Sequence, residues 1–146
     1  MESKHVCGGF KIINNYFENQ LNLGLAEYNL TRSQMDVLIF LKINEKKNIE
    51  TNQKDIEKAL SLKNPTVTGI LDRLEDKGYI KRNVSSKDKR LKQITLTSAS
   101  NEILLKSRNH AKKIEEKILS PLSDEEKDEL LKLLDKIKIN IKEEIC

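Results

Sequence analysis

Among its 146 residues the sequence has no tryptophan, two cysteines, two histidines, two prolines and five glycines. Each scarcity excludes something. With aromatics at only 4%, the chain lacks the stacked rings that grip single-stranded nucleic acid. Cys7 and Cys146 lie at opposite ends and form no metal-ligand pattern. His5 and His110 stand far apart, and neither a glycine-rich phosphate loop nor a Ser–His–Asp arrangement accompanies them. An enzyme is therefore not expected, and neither is a cofactor or a metal. No apolar run reaches transmembrane length, and the opening MESKHVCGGF lacks the apolar stretch of a signal peptide. A soluble, cytoplasmic protein is the expectation. Few glycines and prolines leave few breaks, and 37% hydrophobic against 34% charged residues favours long amphipathic helices over a large closed core. The length suits a single domain, 1–146.

The charge that is present is uneven. Residues 73–93 hold eight basic side chains (Arg73, Lys77, Lys81, Arg82, Lys87, Lys89, Arg90, Lys92) against three acidic ones (Glu75, Asp76, Asp88), a local +5. The whole chain is +4, so everything else nets −1. A solvated face would spread such charge along the chain. Concentration in one stretch is the footprint of a phosphate-bearing partner.

That stretch overlaps the most structured-looking part of the sequence, Asn64 to Thr97. Pro65 suits the first turn of a helix, where its missing N–H is no loss. Val67, Ile70, Leu71 and Leu74 then recur at helical spacing, and the opposite face carries Pro65, Thr68, Gly69, Asp72 and Arg73. Gly78 supplies the stop. Ile80, Val84, Ile94 and Leu96 share the parity of one strand face, with the polar tip SSKDKRLK between them.

Upstream, Phe10, Ile13, Phe17, Leu21 and Leu25 predict an amphipathic helix from about 10 to 28, after nine loose residues. Thr31 caps a second helix running to about Asn44 that buries Met35, Leu38, Ile39 and Leu41. Thr51 caps a short third helix, Asn52 to Leu60, buried through Ile56, Ala59 and Leu60. Ser61-Leu62-Lys63 turns into the Pro65 helix, as in a helix-turn-helix. Downstream, Thr97 caps a fifth helix carrying Ile103, Leu104, Ala111, Ile114 and Ile118. Ser120-Pro121 breaks it, and Ser123 with Glu126 forms the capping box of a sixth, with Leu130, Leu133, Leu134, Ile137, Ile141 and Ile145 on its apolar side. The first, fifth and sixth helices each bear an apolar stripe that the small centre cannot cover, which predicts a dimer built from both chain ends.

A helix-turn-helix followed at once by a basic hairpin is a winged helix, and in detail the residues resemble the MarR-type (multiple antibiotic resistance regulator) transcriptional regulators. The resemblance rests on Leu30-Thr31-x-x-Gln34, on Pro65-Thr66-Val67-Thr68-Gly69, and on Asp72-Arg73-Leu74-Glu75-x-Lys77-Gly78-Tyr79-Ile80-x-Arg82. It ends with Asp88-x-Arg90-x-Lys92 and Leu96-Thr97. Two departures are visible: Ser100 stands where the family usually has Gly, and Ser85-Ser86 replaces a Pro-containing wing segment. The resemblance implies a mainly α fold with a small β-hairpin wing. Residues 30–97 would form the winged helix-turn-helix DNA-binding lobe, and 1–29 with 98–146 the helical dimerisation region. It implies a homodimeric repressor on a near-palindromic double-stranded operator, the fourth helix in the major groove and the wing in a neighbouring minor groove. It also implies release by a small aromatic or phenolic effector, for which Tyr16, Tyr28 and Phe40 are candidates by position.

The side-chain chemistry agrees with that role. Thr66 and Thr68 can meet base edges, phosphates or thymine methyls. Gly69 lets the helix approach closely, and Lys63, Asn64 and Pro65 surround a helix N-terminus suited to phosphate. Arg73 reads as a phosphate clamp, and Asp72, Glu75 and Asp76 are expected turned outward or paired with neighbouring cations. If the tip is extended, Asp88 and Arg90 face the same way, so the carboxylate orients the guanidinium for the minor groove. Lys87, Lys92, Lys81, Lys89 and Arg82 supply phosphate contacts, with Arg82 also buttressing the hairpin. One alternative is a winged helix that binds protein, for which a neutral or acidic wing would be expected. Another is a thiol redox-sensing regulator using Cys7, although no adjacent basic or hydroxyl-rich pattern activates that thiol. A Cys7–Cys146 disulfide on oxidation is disfavoured in a reducing cytoplasm.

Overall fold

The computed structural model describes residues 4–145, with six helices and one two-stranded antiparallel sheet. The helices are α1 (Val6–Ala26), α2 (Arg32–Lys46), α3 (Gln53–Leu60), α4 (Asn64–Asp76), α5 (Ser98–Leu119) and α6 (Asp124–Ile145). Between α4 and α5 lie β1 (Ile80–Val84) and β2 (Lys92–Leu96), in a register that pairs Ile80 with Leu96 and Val84 with Lys92.

Local chemistry sets most of the boundaries. Thr31 and Gln34 form a reciprocal capping box at α2, as do Thr97 and Ser100 at α5 and Ser123 and Glu126 at α6. Ser100, unusual for its position by resemblance, is thus the third member of a helix start and is fully buried. Gly78 sits at φ +77°, where an L side chain would be strained, and its amide closes on the Glu75 carbonyl at 2.9 Å.

Other boundaries differ from the sequence reading. α1 begins at Val6, so Gly8-Gly9 is helical, and it ends at Ala26 before a turn in which Asn29 is left-handed. Tyr28 accordingly leaves the helix and packs against the core. The cap of α3 is Asn52, which exchanges hydrogen bonds with Asp55. Thr51 is instead buried, its hydroxyl accepting from Asn44 Nδ2 at 2.8 Å.

The core gathers where α2, α3, α4 and the hairpin meet. Val67, Ile70, Leu71 and Leu74 of α4 pack with Met35, Val37 and Leu38 of α2, Ile56 of α3, and Ile80 and Ile94 of the strands. Each fully buried aliphatic side chain contributes about 1.5–3 kcal/mol by leaving water. The buried arc of α2 runs through Val37, leaving Ile39 outside at 38% exposed. On α3 only Ile56 is fully buried; Ala59 is exposed and Leu60 half-buried. Val84 has the core-facing parity yet is 63% exposed, because it pairs with Lys92 at the far end of the hairpin, beyond the cover of α4.

α1 packs along α5. The apolar side of α6 is uncovered within the single chain: Leu133, Ile137 and Ile141 are exposed and Leu130 and Leu134 half-buried. The side chain of Ile145 and the whole of Cys146 lie outside the described residues, and with Cys146 the disulfide. Cys7 is exposed at the start of α1. No helix among the described residues is long and apolar enough to cross a membrane.

Candidate nucleic-acid interface

α4 is held against the core by its apolar face, which turns its small and polar face outward. α3 ends at Ser61 in the left-handed conformation (φ 52°), and the Leu62 amide closes on the Glu57 carbonyl at 3.0 Å. The chain re-enters helix at Asn64, with Lys63 rather than Asn64 as the flanking residue and Pro65 in the first turn. Lys63, Asn64, Pro65 and Thr66 are exposed, as are Asp72 and Arg73 further along. Gly69 is half-buried, and nothing lies within 4 Å of the space a Cβ there would fill.

Thr68 is also half-buried. Its hydroxyl oxygen accepts a hydrogen bond from Gln53 Nε2 at 2.8 Å, and the same amide reaches the Asn64 carbonyl at 3.4 Å. Gln53, at the start of α3, therefore fixes the entry of α4. A polar residue following a helix cap offers little signal of that role in the sequence.

The wing springs from α4 through Arg82. Its Nη2 lies 2.7 Å from Asp72 Oδ1 and 2.9 Å from Glu75 Oε1, and its Nε donates to Glu75 Oε2 at 3.2 Å. Those hydrogen bonds hold Glu75 below the usual carboxylate range and raise the Arg82 guanidinium above its own ordinary value. Asp72 and Glu75 are paired as the sequence suggests. Arg82 turns its Nε and Nη2 onto α4 and its side chain is only 22% exposed, so it acts as a strut between the hairpin and α4.

At the tip, Asp88 and Arg90 meet as expected, although the backbone is not extended. It turns, with the Leu91 amide donating to the Asp88 carbonyl at 3.0 Å and the Ser85 amide to the Leu91 carbonyl at 2.9 Å. The Asp88 carboxylate accepts three bonds from Arg90: the backbone N–H at 3.0 Å, Nε at 3.1 Å and Nη2 at 3.1 Å. This pairing lowers the Asp88 pKa. Arg90 remains 90% exposed, so its fork is oriented without being hidden. Lys81, Lys87, Lys89 and Lys92 of the hairpin are all exposed as well.

Ser85 at the base of the tip is buried at 6%, and its hydroxyl bonds the Glu50 carboxylate, as does that of Ser86 at 3.0 Å. Neither Glu50 nor the role of Ser85 is legible from spacing, since the partners are 35 residues apart.

A cleft of about 610 Å³ opens between α2 and α5. Ile39, Ile43, Leu104 and Leu105 line it, with Lys42 and Arg108 at its polar edge. Tyr16, Tyr28 and Phe40 take no part in that lining; Tyr28 and Phe40 serve the core instead. Among the described residues no cluster of His, Cys, Asp and Glu is arranged to hold a metal.

The profile of the MarR family matches residues 28–91. Similar solved structures include MepR, a transcription regulator of the Staphylococcus aureus multidrug efflux pump MepA, at TM-score 0.83 and 26% identity over 94% of this chain and 98% of that one. The S. aureus MepR–DNA complex is similar at TM-score 0.72 and 28% identity, over 90% of this chain and 96% of its own. Wild-type MarR from E. coli, in its apo form, shares the fold at TM-score 0.77 and 23% identity, with 94% and 98% of the two chains covered.

Proposed function

We propose, from its likeness to the MarR family of winged-helix transcriptional regulators over residues 28–91 and to MepR, that this chain binds double-stranded DNA sequence-specifically as a homodimer and represses from a near-palindromic operator. The observation that carries the reading is Arg90, nearly fully exposed on a cationic tip yet held by the Asp88 carboxylate. An ordinary surface ion pair is worth about 0–1 kcal/mol. Here Asp88 restricts the guanidinium's rotamers while leaving it open to solvent, which suits insertion into a narrow, electronegative minor groove. Lys63, Asn64, Pro65, Thr66, Thr68, Gly69 and Arg73 would meet the major groove, and Lys87 and Lys92 the flanking phosphates. The likeness to MepR, solved in complex with DNA, supports the assignment.

In this reading residues 30–97 are the DNA-binding lobe, and residues 1–29 with 98–146 form the dimer region. The uncovered apolar residues Leu133, Ile137 and Ile141 of α6, together with Phe10 and Ile13 of α1, support a second copy as their cover. The cleft between α2 and α5, apolar with cations at its edge, is the place for a small aromatic effector that releases DNA. A protein-binding winged helix is the weaker reading, because the wing is basic. The test is selection of duplexes from random sequence by the intact protein, followed by binding of the enriched duplex to an Arg90→Ala variant. Affinity falling by about a hundredfold with the dimer intact is expected, on the scale of losing a charge-assisted anchor in a groove. Failure to enrich any duplex would end the regulator reading.

A further inference from the structure

The wing's arginine is linked to the α2–α3 connection by a line of hydrogen bonds. Glu50, in the connection between α2 and α3, accepts from the hydroxyls of Ser85 and Ser86. The Ser85 oxygen in turn accepts two backbone amides, Lys87 N–H at 3.1 Å and Asp88 N–H at 3.2 Å. Asp88 then holds Arg90 by three bonds. The anchor end is fixed from both sides. Thr51, next to Glu50, receives the Ile94 amide on its carbonyl at 2.9 Å and the Asn44 side chain on its hydroxyl.

We infer that Glu50 is a positioning residue for DNA recognition, acting through Ser85 to fix the wing turn that presents Arg90. The inference rests on the DNA-binding reading and adds a residue to it. Ser85-Ser86 stands where the resemblance predicts a proline-containing segment, so this chain stiffens its wing by hydrogen bonds to a carboxylate instead of by a ring. A hydroxyl that donates to a carboxylate is polarised and becomes a better acceptor for the two amides behind it. Burial of Ser85 at 6% keeps water from competing for those amides.

The sign of the effect separates this role from simple electrostatics. Glu50 is an anion on a lobe that would face polyanionic DNA, so its removal should tighten binding if charge alone matters. A positioning role requires the reverse. The experiment compares wild type, Glu50→Ala and Glu50→Gln, each with and without Arg90→Ala, on a duplex selected by the wild-type protein. Amide exchange at Lys87 and Asp88 is measured in the free protein.

Glu50→Ala should weaken binding about tenfold, the scale of one lost charge-assisted hydrogen bond. It should accelerate exchange at both amides and have no effect on binding once Arg90 is gone. Glu50→Gln keeps one acceptor for Ser85 and should fall between. Unchanged or tighter binding by Glu50→Ala, or an equal loss in the Arg90→Ala background, would overturn the inference while leaving DNA binding standing. If the wild type selects no duplex, it is the regulator reading that fails, and exchange at Lys87 and Asp88 still decides whether Glu50 holds the turn.

Discussion

Gly24 of α1 and His110 of α5 compete for one space: a Cβ added at Gly24 would stand 2.5 Å from both Cδ2 and Nε2 of the imidazole. The ring is seated there by a bond from Nε2–H to the Gln20 carbonyl, 3.1 Å away. Because a carbonyl only accepts, Nε2 must carry a proton, whether or not Nδ1 does. Gly24 lies in the last turn of α1, where glycine still costs up to about 1 kcal/mol against alanine, so its place there is a packing choice that lets the two long helices close.

Gly24→Ala should therefore destabilise the protein despite the better helix former, by about 1–2 kcal/mol after overpacking outweighs propensity. In a His110→Ala background the same change should become stabilising, since the obstructing ring is gone. Chemical denaturation of the four variants reads this directly. A Gly24→Ala cost that persists without His110 would mean that α1 meets some other obstacle.

The Arg82 strut makes a prediction about pH. Glu75 titrates below an ordinary carboxylate because Arg82 hydrogen-bonds it, so the folded state binds that proton less readily than the unfolded chain does. Its contribution is fully present above the unfolded carboxylate pKa, about 4. It is lost as pH falls through the lowered folded value. The melting temperature of Arg82→Ala should lie below wild type by a constant interval between about pH 8 and 6 and converge on it below about pH 4. An interval that widens in acid would show that Arg82 stabilises through something other than its carboxylates.

Much of this architecture is legible in the sequence wherever the cause is local. Thr31 with Gln34, Ser123 with Glu126, and Gly78 each act within a few residues, and each ends or begins a helix as its chemistry dictates. Val67, Ile70, Leu71 and Leu74 are equally plain, because a helical stripe specifies its own buried face. What stays hidden depends on partners distant in the chain. Periodicity could not say that the buried arc of α2 tilts through Val37 and excludes Ile39, since that is set by where α4 lies. Parity gave the side of the sheet on which Val84 sits, but not that the cover ends before it. Arg82 looks like one more cation of the basic hairpin until the fold puts it beside Asp72 and Glu75. The bond between Glu50 and Ser85 has no periodic signature at all.

The two kinds of DNA contact assigned to α4 should separate by their salt dependence. Arg73 is exposed, and as a phosphate contact its loss should weaken binding to all sequences and shallow the log–log salt slope by about 0.9. Thr68→Ala should leave the slope alone and lower selective binding more than non-selective binding, because in the proposed docking it removes a hydroxyl and methyl that face base edges. Part of the Thr68 effect would pass through Gln53, which loses its closer acceptor on α4 and keeps only the Asn64 carbonyl at 3.4 Å. Gln53→Ala should reproduce a fraction of it. Identical slopes for wild type and Arg73→Ala would take Arg73 out of the interface.

Gly69 sets stability against function most sharply. It lies within α4, away from either end, and an added Cβ would meet nothing within 4 Å. Nothing in the fold requires glycine there, since it is not among the residues with positive φ. By helix propensity alone, Gly69→Ala should raise stability by about 0.5–1 kcal/mol. A glycine kept at such a cost on the outward face points to a surface that must come very close. The methyl should hold α4 off the groove, stretch the contacts of Thr66 and Thr68 past hydrogen-bonding range, and weaken selected-duplex binding by roughly tenfold. Opposite signs in the two measurements are the expected result. A variant both more stable and equally tight on DNA would mean that this face of α4 does not enter the groove, whatever the wing does.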